Sequence, residues 1–241
     1  MSNIILCSTQ RSGSTMVVED MRNSEVLGNP EEYFIKWQGF GEDIDINNEI
    51  DSLFKQGSKS NVFSVKLMAN QVKKVNALLN RSGKYKDVVD LFNDASWVYI
   101  KRNDTVKQAI SRYIASVTKV NHAIDDESSN HFAGNLLKGD YAEYNKEVSY
   151  DFNKIFQEYC NVKKENLFWQ EFFLRQGIEP LVLEYEVYSQ CLAYEHVKQI
   201  ADHADILEEP KIFERKLKKL SNKVNKRFVD LFKDEIFDRY F

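Results

Sequence analysis

Near the N-terminus, Gln10-Arg11-Ser12-Gly13-Ser14-Thr15 brings hydroxyls, one glycine and a guanidinium together between an apolar run and a helix-like run, Met16 to Met21. Strand, tight loop and helix make a cradle for an anion. Ser12 and Gly13 let the backbone turn closely, and the N–H groups of Gly13 to Thr15 can point at one anion at the positive end of a helix. Arg11 would supply the full charge. A helix-dipole contribution is worth ~0.3–1 kcal/mol and a hydrogen bond to a charged group ~1.5–3 kcal/mol, so Arg11 and the convergent amides should dominate. The plain alternative is a strand-to-helix turn rich in hydroxyls. The nucleoside-triphosphatase version of such a loop, G-x-x-x-x-G-K-S/T, needs a lysine after its second glycine, and Ser14 stands there. A donor without a transferable γ-phosphate therefore fits better than a kinase's triphosphate.

Other groups carry more than one reading. Glu31 and Glu32 follow Pro30, where acids simply favour a helix start, although the Glu32 carboxylate could also accept a proton. Lys66, at a strand end, could meet charge developing on a transferred group or snorkel into solvent. Arg102 offers a planar fork suited to phosphate, or a surface pair with Asp104. Tyr33, Phe34 and Trp37 could wall a sugar face or fill a core. The histidines His122, His131, His196 and His203 and the cysteines Cys7, Cys160 and Cys191 show no metal-ligand spacing, so no metal is expected.

Four short β-rich runs are placed to position these groups: Asn3 to Ser8, Val62 to Leu67, Trp97 to Arg102 and Leu181 to Tyr185. Helical patterns separate them, as in Val106, Ile110, Tyr113, Ile114 and Val117. The alternation predicts an α/β fold, a central parallel sheet flanked by helices. Arg11 and Arg102 both fall at carboxyl ends of strands, where such sheets bind ligands. The 241 residues suffice for a sizeable core, and with no Pro- or Gly/Ser-rich linker they read as one domain, 1–241. The stretch from Asn121 to Ser149 reads as a long loop, a lid or binding insertion. From Lys211 to Arg227 there are eight basic residues and one acid, with Phe213, Leu217, Leu220, Val224 and Phe228 at helical spacing. That predicts an amphipathic basic helix in a C-terminal segment of about 208–241.

Composition excludes several classes. A formal charge of −4 is unlike a nucleic-acid-binding chain, and no apolar run is long enough to span a membrane. An odd number of cysteines without C-x-x-C spacing argues against a disulfide scaffold and for a reducing, cytoplasmic setting.

The 10–15 loop resembles the 5′-phosphosulfate loop of sulfotransferases, above all that of the bacterial trehalose 2-sulfotransferase-like family within the PAPS-dependent superfamily. Gly28-Asn29-Pro30-Glu31-Glu32-Tyr33-Phe34 resembles that family's G-E-P-x-E-F/Y-F segment, and Val65 to Met68 followed by Asn70-Gln71 its G-V-K-L-M segment. Trp169 to Tyr185 is similar to its W-x-x-F-F…G-I-x-P…Y-E pattern. The resemblance implies a nucleotide-binding fold of the phosphate-loop type and a donor, 3′-phosphoadenosine 5′-phosphosulfate (PAPS), held by Gln10, Arg11, Ser12, Gly13, Ser14 and Thr15. It implies that Arg102 and Ser111 bind the donor's 3′-phosphate, that Glu32 is the general base and that Lys66 meets the transferring group. It further implies transfer to a hydroxyl of a carbohydrate or of a carbohydrate-bearing small molecule such as a glycolipid, and a homodimer. An R-K-G-type segment that closes over the 3′-phosphate in many cytosolic relatives is absent. Two rivals are a nucleotide-binding interaction module without turnover and, less well matched, a phosphate-loop kinase.

Overall fold

Side chains along the first strand divide by parity. Ile5 and Cys7 join one apolar cluster, Ile4 and Leu6 another, and all four are fully buried. Successive residues of a strand face opposite sides, so a strand buried on both faces must lie inside a sheet covered twice. A computed structural model, which describes residues 2–124, 135–138, 143–211, 214–215 and 217–240, has that arrangement.

The chain divides into two compact units, Met1–Lys101 with Glu165–Arg215, and Arg102–Lys164 with Lys216–Phe241. In chain order the first contains β1 (Ser2–Ser8), α1 (Ser14–Ser24), α2 (Phe34–Trp37), α3 (Ile46–Gly57), β2 (Ser58–Lys59), β3 (Val62–Met68), α4 (Ala69–Arg81), α5 (Val88–Leu91) and β4 (Ser96–Lys101). The second adds α6 (Thr105–Thr118), β5 (Val120–Ile124) and β6 (Asn135–Lys138). The long helix α7 (Phe152–Gln176) starts in the second unit and ends in the first, which continues with β7 (Leu181–Glu184), α8 (Tyr185–Tyr188) and α9 (Ala193–His203). Finally α10 (Lys223–Tyr240) returns to the second unit.

The sheet of the first unit runs β2-β3-β1-β4-β7, parallel except for the β2 edge. Ser8 at the end of β1 pairs with Met68 on one side and Ile100 on the other. The chain leaves β1 for β3 on one flank and then crosses to β4 on the other. The loop after β1 therefore emerges where the order reverses, the crevice position of doubly wound sheets. One face is covered by α3, α4, α5 and the end of α7 through Ile50, Leu53, Val72, Leu79, Trp169 and Phe173. The other is covered by α1 and α9 through Val17, Val18, Met21, Val197 and Ile200. In the second unit α6, the first turns of α7 and α10 meet through Ile110, Ile114, Phe152, Ile155, Phe228 and Phe232.

Two sequence expectations are corrected. The predicted loop at 121–149 begins with strand structure: β5 pairs in parallel with β6. Residues 125–134 and 139–142, which include His131, Gly134 and Gly139, lie outside the described residues. The predicted basic helix over 211–227 is helical only from Lys223. Before it, Lys218 donates its N–H to the carbonyl of Ala123 at 2.9 Å, and Leu217 bridges antiparallel to Ile124. Backbone pairing to β5 takes residues whose apolar spacing alone reads as helix.

Candidate active site

The loop from Thr9 to Gly13 is compact because two residues adopt left-handed backbone, Arg11 at φ 63° and Gly13 at φ 92°. Arginine accepts that conformation at a cost; glycine accepts it freely. Space also demands the glycine: a Cβ at position 13 would lie 2.4 Å from the Tyr185 ring and 2.5 Å from the Tyr188 hydroxyl. The N–H of Ser12 bonds to the carbonyl of Thr9 at 3.3 Å, and that of Met16 to the carbonyl of Gly13 at 3.0 Å. Ser14 then opens α1 without a side-chain cap, and the N–H groups of Ser14 and Thr15 point along the axis toward the helix N-terminus, as helical N–H groups do.

The loop is held from behind by the C-terminal part of the first unit. Trp169 Nε1 donates to the carbonyl of Ser8 at 2.9 Å, and the Tyr188 hydroxyl donates to the carbonyl of Ser12 at 3.1 Å. Ser12 is fully buried, and its Oγ lacks a hydrogen-bond partner among the described residues. A buried orphan hydroxyl in a loop of this shape suits an anion's oxygen.

Beneath the loop lies a charged cluster that local sequence patterns gave no hint of. Asp20 on α1 is fully buried; its Oδ2 meets His196 Nε2 at 2.8 Å and Arg215 Nε at 2.9 Å. Arg215 Nη1 donates to the carbonyl of Cys191 at 3.1 Å, and Nη2 lies 3.3 Å from both the Tyr188 carbonyl and His196 Nδ1. The Tyr188 ring, 5.4 Å from His196, links this cluster to the loop. Arg215, expected in an exposed basic helix face, is an internal cation instead.

The second group forms beside the loop. Gly28, at φ 77°, has no room for a Cβ, which would lie 2.6 Å from Ser64 Oγ. The segment after it therefore lies close along β3, with the Lys66 N–H donating to the carbonyl of Glu31 at 2.9 Å. This brings Glu32 onto Lys66, Oε2 to Nζ 2.9 Å, with side chains 14% and 7% exposed. Gln71 Nε2 donates to the other carboxylate oxygen, Oε1, at 2.8 Å. Lys66 sits on the strand next to β1, opposite Leu6 and two residues short of the level of Ser8. Glu31 turns away to Arg22 of α1 at 2.8 Å, and burial pushes its carboxyl above the ordinary value although Arg22 and Lys66 oppose this. Tyr33 bonds to the carbonyls of Asn29 and Gln56, while Phe34 and Trp37 are fully buried. Phe34 and Trp37 are thus core, whereas Tyr33 is only partly buried, and burial together with the nearby Glu31 carboxylate pushes its hydroxyl up to about 12.

Arg102 and Ser111 belong to the second unit, the first directly after β4 and the second in the second turn of α6. Asp104 caps α6 by accepting from the N–H of Lys107 at 2.9 Å. Burial alone would raise Asp104; bonds from Lys107, with the charges of Lys107 and Arg102, leave it below its usual value. Gln71, Trp169 and Tyr185 lie in the segments that carry the family resemblance, whereas no local pattern pairs Asp20 with His196 and Arg215. Among the described residues no group of three His, Cys, Asp or Glu side chains could hold a metal ion, and no helix is long and apolar enough to cross a membrane.

Comparison with known proteins narrows the chemistry. Residues 3–235 match the family described as Stf0 sulphotransferase. A trehalose 2-sulfotransferase of Mycolicibacterium smegmatis is 25% identical over 220 residues, covering 75% of this chain and 76% of that protein. A trehalose 2-sulfotransferase of Mycobacterium tuberculosis is 24% identical over 222 residues, covering 76% and 77%.

Proposed function

The chain belongs to the Stf0 sulphotransferase family, and from that premise we propose that it transfers a sulfuryl group from PAPS to a hydroxyl of a carbohydrate or carbohydrate-bearing small molecule, trehalose being the first acceptor to try. The observation that carries this reading is Glu32 standing as a nearly buried carboxylate between Lys66 and Gln71. In the proposed reaction the acceptor oxygen attacks sulfur while Glu32 takes its proton. The bond from sulfur to the bridging oxygen breaks in line, and the electron pair leaves with the 5′-phosphate of adenosine 3′,5′-bisphosphate. Lys66 stabilises the charge that develops on that oxygen.

Gln10 to Thr15, with Arg11, would hold the 5′-phosphosulfate; the buried orphan hydroxyl of Ser12 fits an anion there. Arg102 and Ser111 are assigned the 3′-phosphate. A base placed at an acceptor hydroxyl contributes ~10²–10⁴-fold. The reading extends to one catalytic domain over 1–241, a homodimer and a cytoplasmic setting, the dimer being open to light scattering.

The test is a thermal shift with adenosine 3′,5′-bisphosphate against ATP with magnesium, then mass spectrometry of trehalose incubated with PAPS and enzyme. At ~100-fold excess over its dissociation constant a ligand adds ~2.7 kcal/mol, roughly 5–10 °C for a chain this size. A shift with the bisphosphate and a sulfated sugar are expected. A shift with ATP alone would revive a kinase, and bisphosphate binding without transfer to any sugar would leave a nucleotide-binding module.

A further inference from the structure

A buried amide whose two ends are both engaged fixes an orientation, and Gln71 is such an amide. The residue is 2% exposed. Oε1 accepts the N–H of Met68 at 3.1 Å, closing the first turn of α4, and this bond sets which end of the amide faces outward. Nε2 is therefore the atom presented to Glu32 Oε1 at 2.8 Å. Lys66 Nζ holds the opposite oxygen at 2.9 Å.

The two partners of Glu32 differ in what the reaction does to them. Lys66 is a cation, and negative charge growing on the bridging oxygen draws it away from the carboxylate. A base whose sole anchor is drawn off would lose its aim as it takes the proton. A neutral amide is not drawn by that charge. We infer that Gln71 is a positioning residue of the transfer reaction, holding Glu32 Oε1 in line while Lys66 is shared between Glu32 and the leaving group. This rests on the reading of Glu32 as the base.

Gln71→Glu separates the role from the fold. It keeps the shape and the acceptor for the Met68 N–H, and it replaces the donor to Glu32 with a second carboxyl. Charged groups around the pair stay in place: Lys66 on β3, and Glu31 with its partner Arg22 of α1. Two carboxyls at this spacing share a proton and hold it to higher pH. With PAPS and trehalose, kcat should fall about 10–100-fold, as for a misaimed catalytic group. The KM for trehalose and the affinity for adenosine 3′,5′-bisphosphate should change little, and the acid limb of kcat should move to higher pH. The same upward displacement should appear without any acceptor in ¹³C NMR titration of the side-chain carboxyls.

Gln71→Met, which loses both hydrogen bonds, should lower kcat without moving that limb. Wild-type kcat and an unmoved carboxyl titration in Gln71→Glu overturn the inference. Should that variant not fold, a folded Gln71→Met with wild-type turnover overturns it equally. Glu32→Gln, run alongside, distinguishes the failures: if it keeps turnover the base assignment has fallen, and if it is inactive beside an unaffected Gln71→Glu only the role of Gln71 has.

Discussion

The Tyr188 hydroxyl donates to the backbone carbonyl of Ser12 across 3.1 Å, spanning 176 positions of sequence to hold the anion loop from behind. Tyr188→Phe keeps the ring against His196 and removes this bond. Leaving a buried carbonyl unpaired costs ~1–3 kcal/mol. Stability should drop by about that amount in denaturant titration, and affinity for adenosine 3′,5′-bisphosphate should weaken in calorimetry.

Gly13→Ala should do more harm. The new methyl would overlap the Tyr185 ring and the Tyr188 hydroxyl at a φ of 92°. Strain alone exceeds ~1 kcal/mol. Nucleotide affinity should fall at least tenfold, because the loop must open to admit the methyl; unchanged binding would mean that the loop does not contact the donor.

Arg215→Met should be among the most damaging changes outside the apolar core. It leaves Asp20, fully buried, without its guanidinium partner. Breaking a buried pair from one side costs ~3–5 kcal/mol, roughly 6–20 °C in melting temperature for a chain this size. Arg215→Lys should recover little, since one ammonium cannot reach the Asp20 carboxylate and the carbonyls of Cys191 and Tyr188 together.

Arg102→Ala should raise the dissociation constant for adenosine 3′,5′-bisphosphate about 10–100-fold, the worth of a charge-assisted bond. Adenosine 5′-monophosphate, which lacks the 3′-phosphate, should bind the variant as it binds the wild type. Equal loss for both nucleotides would remove Arg102 from the 3′-phosphate.

Asp104 gives a pH signature. Its carboxyl is depressed in the folded chain, so the stability it contributes is present above its unfolded value of ~3.9 and is lost as pH falls through the lower folded value. Asp104→Asn keeps the cap of α6 and removes the titration. The stability difference between the two proteins should be constant at neutral pH and shrink steadily as pH falls below about 4; a difference that stays constant through that acid range would remove Asp104 as its source.

Much of this was legible in the sequence where cause and effect are neighbours. Val62 to Leu67 reads as a strand from its β-rich composition, and the strand found there, β3, runs one residue further and is buried at all seven positions, as a strand inside a parallel sheet must be. Gln10 to Thr15 reads as a loop because Gly13 stands between an apolar strand and a helix. Glu32 gained its role through resemblance, since on local chemistry an acid after proline is a helix start. The Asp20, His196 and Arg215 cluster was invisible because its members lie 176 and 195 positions from Asp20 or in unrelated elements, with no period to announce them. The 211–227 stretch misled because apolar spacing cannot register a backbone already paired to β5.

The partnership of Asp20 with Arg215 also sets a timetable. Protein synthesis delivers β1, the anion loop and α1 early, before the cation that neutralises Asp20, which follows 195 residues later. At ~5–20 residues per second that interval is roughly 10–40 s. Throughout it the nascent chain carries a carboxylate at the heart of α1 without the guanidinium that closes over it, so α1 and its loop reach their final form only after Arg215 has been made.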